Sequence, residues 1–491
     1  MPQRLIPIGI LSLICSACEP IEINLVLDDT VELSPTDSED TELIDDPLSE
    51  HSEQNETVSD SDPDEPQPQD EWEPIEVPPS DLDCSDRELW QGNITISTQA
   101  ELDSLTLEYG GVTGNLRLES EDIVSLEQLR CFTQIEHLYI DGVSAPTLLL
   151  DETEQLSSLN VSNSSIQSIN IPNVEIIQSA QIYDNLHLQE FVLLNTVDAN
   201  GNIHFIDNPS LNKINLYSLQ ESSNIRIENN SSLIHFQAPW LQRGNGNIHF
   251  ILNDSLEQIS FPMLSTIGSR LRIEDNTNLQ SASFPMLEST GGNLRIRENR
   301  QLSELDLYSL VYVGDPISSH SAQASLYVTQ TQLSSLYLPN LVSIGCYMDI
   351  IENEILETIE MSSLIRVGNN VNIMSNRTLT DITSLFSLEE ITGHINVSFN
   401  PYLYSSQADR LIWNELGEDN ITGNIQSSGN RSWEEGIPST CSGEYLNFSN
   451  GLVFLEGDEK LIYETQVDTC PQDIQLMDGS TWSLQGNCLC E

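Results

Sequence analysis

Four stretches of the chain can be laid over one another: GNIHFIDNPSLNKINLYSL (201–219), GNIHFILNDSLEQISFPML (246–264), SRLRIEDNTNLQSASFPML (269–287) and GNLRIRENRQLSELDLYSL (292–310). The shared unit is Leu-x-Ile-x-x-Asn-x-x-Leu-x-x-Ile-x-Phe-Pro-x-Leu, and it recurs every 22 to 24 residues between roughly 93 and 430. A period of that size marks a stacked repeat. Apolar residues within each unit alternate, as in Leu271-x-Ile273 and Ala282-x-Phe284, which is strand and not helix periodicity. One unit cannot fold alone. Its roughly five inward side chains contribute about 1.5–3 kcal/mol each, while ordering its backbone costs about 1–2 kcal/mol per residue. Stacking on neighbours, with strands paired in parallel, makes up the deficit. The sequence therefore predicts an all-β, parallel β-solenoid with 22–24-residue coils.

An asparagine marks the same point of each unit: Asn185, Asn208, Asn230, Asn253, Asn276, Asn299, Asn353, Asn376 and Asn400. The series skips one position after Val313, where GDPISSHSAQ (314–323) lengthens a loop and the rung LYVTQTQL (326–333) has no asparagine. Divergent rungs are expected earlier, around LRLESEDI (116–123), LYIDGV (138–143) and LNVSNSSI (159–166). Asparagine at a corner tolerates a left-handed backbone and can bond turn amides or the asparagine of the next coil. Buried without a partner it would cost about 1–3 kcal/mol. These residues are read as a structural ladder, not as catalytic groups.

Charge limits what such a solenoid can serve. The chain carries 77 acidic and 17 basic residues, a formal net charge of −60, which excludes a nucleic-acid binder working through a basic face. Much of the acid is concentrated: residues 28–83 hold 22 Asp or Glu and no Lys or Arg. Such a segment cannot bury enough surface to offset its chain entropy. Residues 19–83 are thus expected to form a disordered, acidic, Pro/Ser-rich tether, whose acidic part reaches at most about 190 Å. Metal capture by the acid run is disfavoured, since no loop with fixed ligand spacing or turn glycine accompanies it. Neither a metal nor a cofactor is expected.

The N-terminus reads as an address: Arg4, an apolar run over 5–14, small residues, then Cys18. That run is too short for a bilayer span of about 20 residues. Cys15-Ser16-Ala17-Cys18 resembles the lipobox of bacterial lipoproteins, in which the cysteine is lipidated and becomes the mature N-terminus. The family usually has leucine where Cys15 stands. The resemblance implies a signal peptide over 1–18, a lipid on Cys18, and a membrane partner at the outer membrane or cell surface. Ordinary cleavage to a secreted product is the alternative, and both mean export.

Residues 84–430 resemble the receptor L domain, the leucine-rich-repeat-like right-handed β-helix of growth-factor-receptor ectodomains that also occurs in bacterial surface lipoproteins. The opening motif is carried by Cys84, Asn93-Ile-Thr-Ile, Ala100-Glu-Leu-Asp-Ser-Leu105 and Val112-Thr-Gly-Asn-Leu-Arg-Leu118. The closing motif is carried by Asn400-Pro-Tyr-Leu, the helix-like Gln407-Ala-Asp-Arg-Leu-Ile-Trp-Asn-Glu-Leu416 and Thr422-Gly-Asn-Ile-Gln-Ser-Ser-Gly-Asn430. Relatives often have a cysteine before that helix, where Ser405 and Ser406 stand here. The resemblance implies recognition of proteins or glycans through sheet faces and loops, although a fold alone does not set a function.

Export permits disulfides. Cys84 is expected to pair with Cys131, and Cys346 to remain a buried free thiol. Two bridges are expected among Cys441, Cys470, Cys488 and Cys490, with Cys488 and Cys490 too close to pair with each other. A zinc site from those four is the alternative, but their spacings of 29, 18 and 2 residues lack the paired knuckles zinc prefers. Residues 431–491 are read as a small cystine-rich β appendage.

The outward residue between two inward strand positions runs His204, Arg226, His249, Arg272, Arg295 over five successive coils, with Arg297 beside the last. Stacked strands lie about 4.8 Å apart, so such a file repels itself unless something compensates. Asp207, Glu228, Asp275 and Glu298 follow along the same strands, and a solvated face paired at about 0–1 kcal/mol per bridge is the conservative reading. The functional reading is an anion-binding groove for a sulfated or uronic-acid glycan, or for an acidic protein, with Arg226, Arg272 and Arg295 as bidentate donors. Catalysis is not expected. Asp349 and Glu352 are the best outward acids, yet no basic partner recurs beside them, and no Ser/His/Asp order, HExxH motif or phosphate loop is present. The expected function is binding or adhesion at the cell surface; a polysaccharide-acting lyase or glycosidase and a passive surface-layer spacer are the alternatives.

Overall fold

The computed structural model describes residues 82, 84, 87–314, 324–417 and 420–431, together with the backbone of four short strands between 452 and 483. The expected signal peptide, Cys18, the tether apart from Leu82, and Cys441, Cys470, Cys488 and Cys490 lie outside the described residues.

The repeat winds as its alternation requires, into a mostly β solenoid of about 13 turns. Equivalent positions of successive coils pair in parallel, so that Leu271 faces Leu294 and Ile273 faces Ile296. The long strands and the short ones beside them join in one 24-stranded sheet, and a second line of short parallel strands runs opposite, as in Gln258–Ser260, Ser281–Ser283 and Glu304–Asp306. Alternate side chains from both lines fill the interior. In the coil starting at Ser269, Leu271, Ile273, Leu279, Ala282, Phe284 and Leu287 are each at most 1 % exposed. Like stacks on like: the Phe261 and Phe284 rings lie parallel, with centroids 5.5 Å apart. Each coil thus buries on its neighbours the surface it could not bury by itself.

The corner after each long strand departs from expectation by one residue. The left-handed position is not the ladder asparagine but the residue before it: Asp184, Asp207, Asn229, Leu252, Asp275, Glu298, Gln330, Glu352, Ser375 and Phe399 have φ between +54° and +59°. This preceding residue makes the turn, and the asparagine side chain is left buried, where its hydrogen-bonding capacity is fully used. Asn276 accepts on Oδ1 from the backbone N–H (3.0 Å) and Nδ2 (3.2 Å) of Asn253. Its own Nδ2 donates to the carbonyls of Phe250 (2.9 Å) and Glu274 (3.0 Å) and reaches Asn299 Oδ1 at 3.2 Å. All nine expected ladder asparagines have zero exposure. The skipped rung is held by Thr331, whose N–H (3.1 Å) and Oγ1 (2.8 Å) both donate to Asn353 Oδ1. Ser164 donates its N–H to Asn185 at one end, and Asn430 accepts from Asn400 at the other.

Helices sit at the first and last coils, where a sheet edge would otherwise be open. The first, α1 (Gln99–Glu108), was not foreseen, although Thr98-Gln-Ala-Glu101 is a capping box: Thr98 Oγ1 accepts from Glu101 N–H, and Glu101 Oε2 accepts from Thr98 N–H. The second, α2 (Ser405–Asp409), continues as a π-wound turn over Arg410–Leu416. Gln407 fastens it to the preceding coil, accepting from Ile382 N–H at 3.0 Å and donating to the Thr380 carbonyl at 2.9 Å. Cys84 and Cys131 form the expected disulfide. The free thiol expected at Cys346 is a misreading: this fully buried sulfur is disulfide-bonded. In the C-terminal region, Leu452–Phe454 pairs antiparallel with Leu461–Tyr463, and Asp473–Gln475 with Thr481–Ser483.

Candidate functional site

Parallel register turns the outward residue of each long strand into a continuous file. His204 lies beside Arg226, Arg226 beside His249, His249 beside Arg272 and Arg272 beside Arg295. The five basic residues read from the sequence are therefore neighbours on one wall. Arg297 belongs to the adjoining file two residues on, where it stands next to Glu274.

The file also extends beyond what sequence reasoning found. Tyr327, Asp349, Asn372, Asn396 and Gln426 continue it past Arg295, and Arg117, Tyr139, Asn160 and Gln181 precede His204. The step from Arg295 to Tyr327 is 32 residues because of the 314–323 insertion, which broke the alignment. The matching signal was present: LYVT (326–329) has the alternation of LRIR (294–297).

The carboxylates expected to neutralise the basic file do so in part. Arg226 pairs with Glu228, Nε to Oε2 at 2.6 Å, and Arg297 lies 3.5 Å from Glu298. Arg272 pairs with Glu274, a residue the sequence did not single out. Asp207 instead accepts from Asn229 Nδ2, and Asp275 is directed to Glu298, a second acid, with its carboxyl pushed up to about 6 by burial and by that neighbour. Arg295 makes no ion pair among the described residues. Its guanidinium carbon lies 4.8 Å from the centroid of the Tyr327 ring, a cation–π contact repeated at Arg117 and Tyr139, 4.2 Å apart.

Several donors on this wall have no acceptor among the described residues. Nε of Arg272, Arg295 and Arg297 and Nε2 of His249 are buried atoms without a hydrogen-bond partner among the described residues, as is Glu274 Oε1. His249 is pushed down to about 4, first by burial and then by the flanking Arg272 and Arg226, so it is neutral at pH 7. Burial and Arg226 likewise lower His204, whose Nδ1 lies 3.0 Å from the Tyr183 hydroxyl. The wall thus offers guanidinium charge interleaved with neutral, planar hydrogen-bonding rings.

Beyond Arg295 the same wall turns uncharged or acidic. Tyr327 and Asp349 face outward by register, yet are only 2 % and 6 % exposed. Burial pushes the Asp349 carboxyl up to about 6, against an opposing hydrogen bond of 2.7 Å from Asn372 Nδ2. Glu352, the other acid singled out from the sequence, sits at a left-handed corner and accepts from Gln330 Nε2 at 2.6 Å. Among the described residues no three His, Cys, Asp or Glu side chains gather as a metal site, and no helix is long and apolar enough to cross a membrane. No protein-family model matches the chain, and no curated protein matches it either.

Proposed function

We propose that this is an exported recognition protein, held at a membrane surface by a lipid on Cys18, whose long-sheet wall binds an extended anionic glycan of the sulfated or uronic-acid type. One observation carries the reading: Arg295, aligned with Arg272 and beside Arg297, rests on the Tyr327 ring, and among the described residues it has no carboxylate partner and all three arginines hold Nε donors that no acceptor meets. Guanidinium groups on a flat parallel wall repeat at about 4.8 Å and bind carboxylate or sulfate oxygens bidentately. Amides continue the wall at Asn372 and Asn396, where a glycan's hydroxyls find partners. The resemblance to receptor L domains and the lipobox-like Cys18 support the same reading.

The test is retention on immobilised acidic polysaccharides. Wild-type protein should be retained in a salt-sensitive manner, and the double substitution Arg272→Glu, Arg295→Glu should abolish retention while leaving the far-UV circular dichroism unchanged. Retention equal to wild type in that variant would end the proposal. New reducing or unsaturated ends in the incubated polysaccharide would instead identify an enzyme. Mass spectrometry of the mature N-terminus reports separately on the Cys18 lipid.

A further inference from the structure

The same coil that loses its ladder asparagine also loses a residue from its corner. At the asparagine rungs three positions separate the ladder residue from the next inward leucine, as in Asn276 to Leu279, Asn299 to Leu302, Asn353 to Leu356 and Asn376 to Leu379; Thr331 reaches Leu333 in two. The usual turn closes with a bond from that leucine N–H to the ladder carbonyl, 3.1 Å from Leu279 to Asn276 and 3.0 Å from Leu302 to Asn299. At the shortened corner Gln332 N–H bonds instead to the Leu302 carbonyl of the coil before, at 2.9 Å. The chain between the ladder residue and the leucine is thus one residue shorter here than at the asparagine rungs. What opens is a cleft of about 350 Å³ lined by Arg300, Gln330, Thr331, Gln332, Glu352, Glu354, Ser375 and Arg377.

Every lining residue is of a polar type and their charges balance, with two guanidinium groups, two carboxylates, two carboxamides and two hydroxyls. Part of it is already engaged: Gln330 donates to Glu352 at 2.6 Å and accepts from Arg300 Nη2 at 3.4 Å. Glu354 and Arg377 occupy the same corner position on adjacent coils, one residue past Asn353 and Asn376. Their backbones are thus one coil spacing apart, about 4.8 Å. A simple anion would face Glu352 and Glu354, and a simple cation would face Arg300 and Arg377. A sugar would find no aromatic ring on which to stack. A ligand carrying both charges at roughly that separation meets none of these penalties. In a dipeptide the two Cα atoms lie about 3.8 Å apart, with the ammonium and carboxylate just outside them.

From this we infer that the cleft at Thr331 is a second binding site, which takes a short peptide with free termini, its ammonium on Glu354 and its carboxylate on Arg377. The site is independent of the anion-binding wall. The probe is dialanine, titrated into the full chain by calorimetry and by NMR chemical-shift mapping, beside N-acetyl-dialanine, dialanine amide and glucose. Saturable millimolar binding of dialanine is expected, weakened at least tenfold by blocking either terminus and by either Glu354→Gln or Arg377→Gln. A third variant, Thr331→Asn with one glycine inserted after Gln332, restores the usual corner and should abolish binding without loss of the β circular dichroism signal. Absence of saturable dialanine binding, equal binding of the blocked peptides or of glucose, or undiminished binding in the refilled variant would each overturn the inference.

Discussion

Asn276 illustrates how much of this fold rests on single side chains. Its amide meets three backbone groups and two further asparagines, so Asn276→Ala would leave several buried donors and acceptors unmet, at about 1–3 kcal/mol for each group. A loss of at least about 3 kcal/mol is expected in urea denaturation. Asp349 makes the opposite contribution. Its folded pKa of about 6 lies above its ordinary 3.8, so the folded state holds a proton that the unfolded chain has released. Its effect on stability is nil below the ordinary value, and a penalty grows as pH rises through the interval up to about 6. Asp349→Asn should therefore raise stability at pH 7.5 by about 2–3 kcal/mol and change little at pH 3.5, read from paired thermal melts. His249, lowered to about 4, has the reverse sign: its neutral form is favoured, and stability is lost as pH falls from about 6.5 toward 4. These residues also show the limit of sequence reading. The ladder's positions were legible because its spacing is local, whereas the one-residue shift of the left-handed turn and the burial of Asp349 depend on what the neighbouring coils present.

At the scale of the single coil, the corner between the short strand and the long one is as constrained as the asparagine ladder. A Cβ on Gly291 would lie 2.2 Å from the Gly268 carbonyl oxygen of the coil before, and one on Gly268 equally close to that of Asn245. No real Cβ is accommodated there without moving backbone. Gly291→Ala should accordingly cost more than the roughly 1 kcal/mol that alanine usually regains over glycine, and native-state hydrogen exchange should speed up first at Thr290 and its partner Val313. These glycines were visible in TIGS (266–269) and STGG (289–292), but the sequence does not say that they face one another. The capping box of α1 was equally legible and went unread, because the strand alternation around it dominated. The insertion at 314–323 had the contrary effect, concealing that Tyr327 continues the file of Arg295.

For the whole molecule, stacking implies near-interchangeable coils. Removal of residues 269–291, one full period from Ser269 to Gly291, should preserve the fold, because Gly268 then meets Gly292 in the register Gly291 had occupied. The shortened protein should keep its circular dichroism per residue and unfold cooperatively with an m-value reduced by about one part in thirteen. Aggregation or a molten product would contradict the solenoid reading. The same deletion removes Arg272, so polysaccharide retention should weaken in the shortened protein as well. The sequence by itself determined the coil length, the inward alternation and the asparagine series, because each is written within one period of chain and is enforced by the need to bury apolar side chains. Tertiary structure alone decided which outward residues share a wall, which acids meet which arginines and where a shortened corner opens a cleft. Those depend on register between coils, and register is set by packing across loops of unequal length.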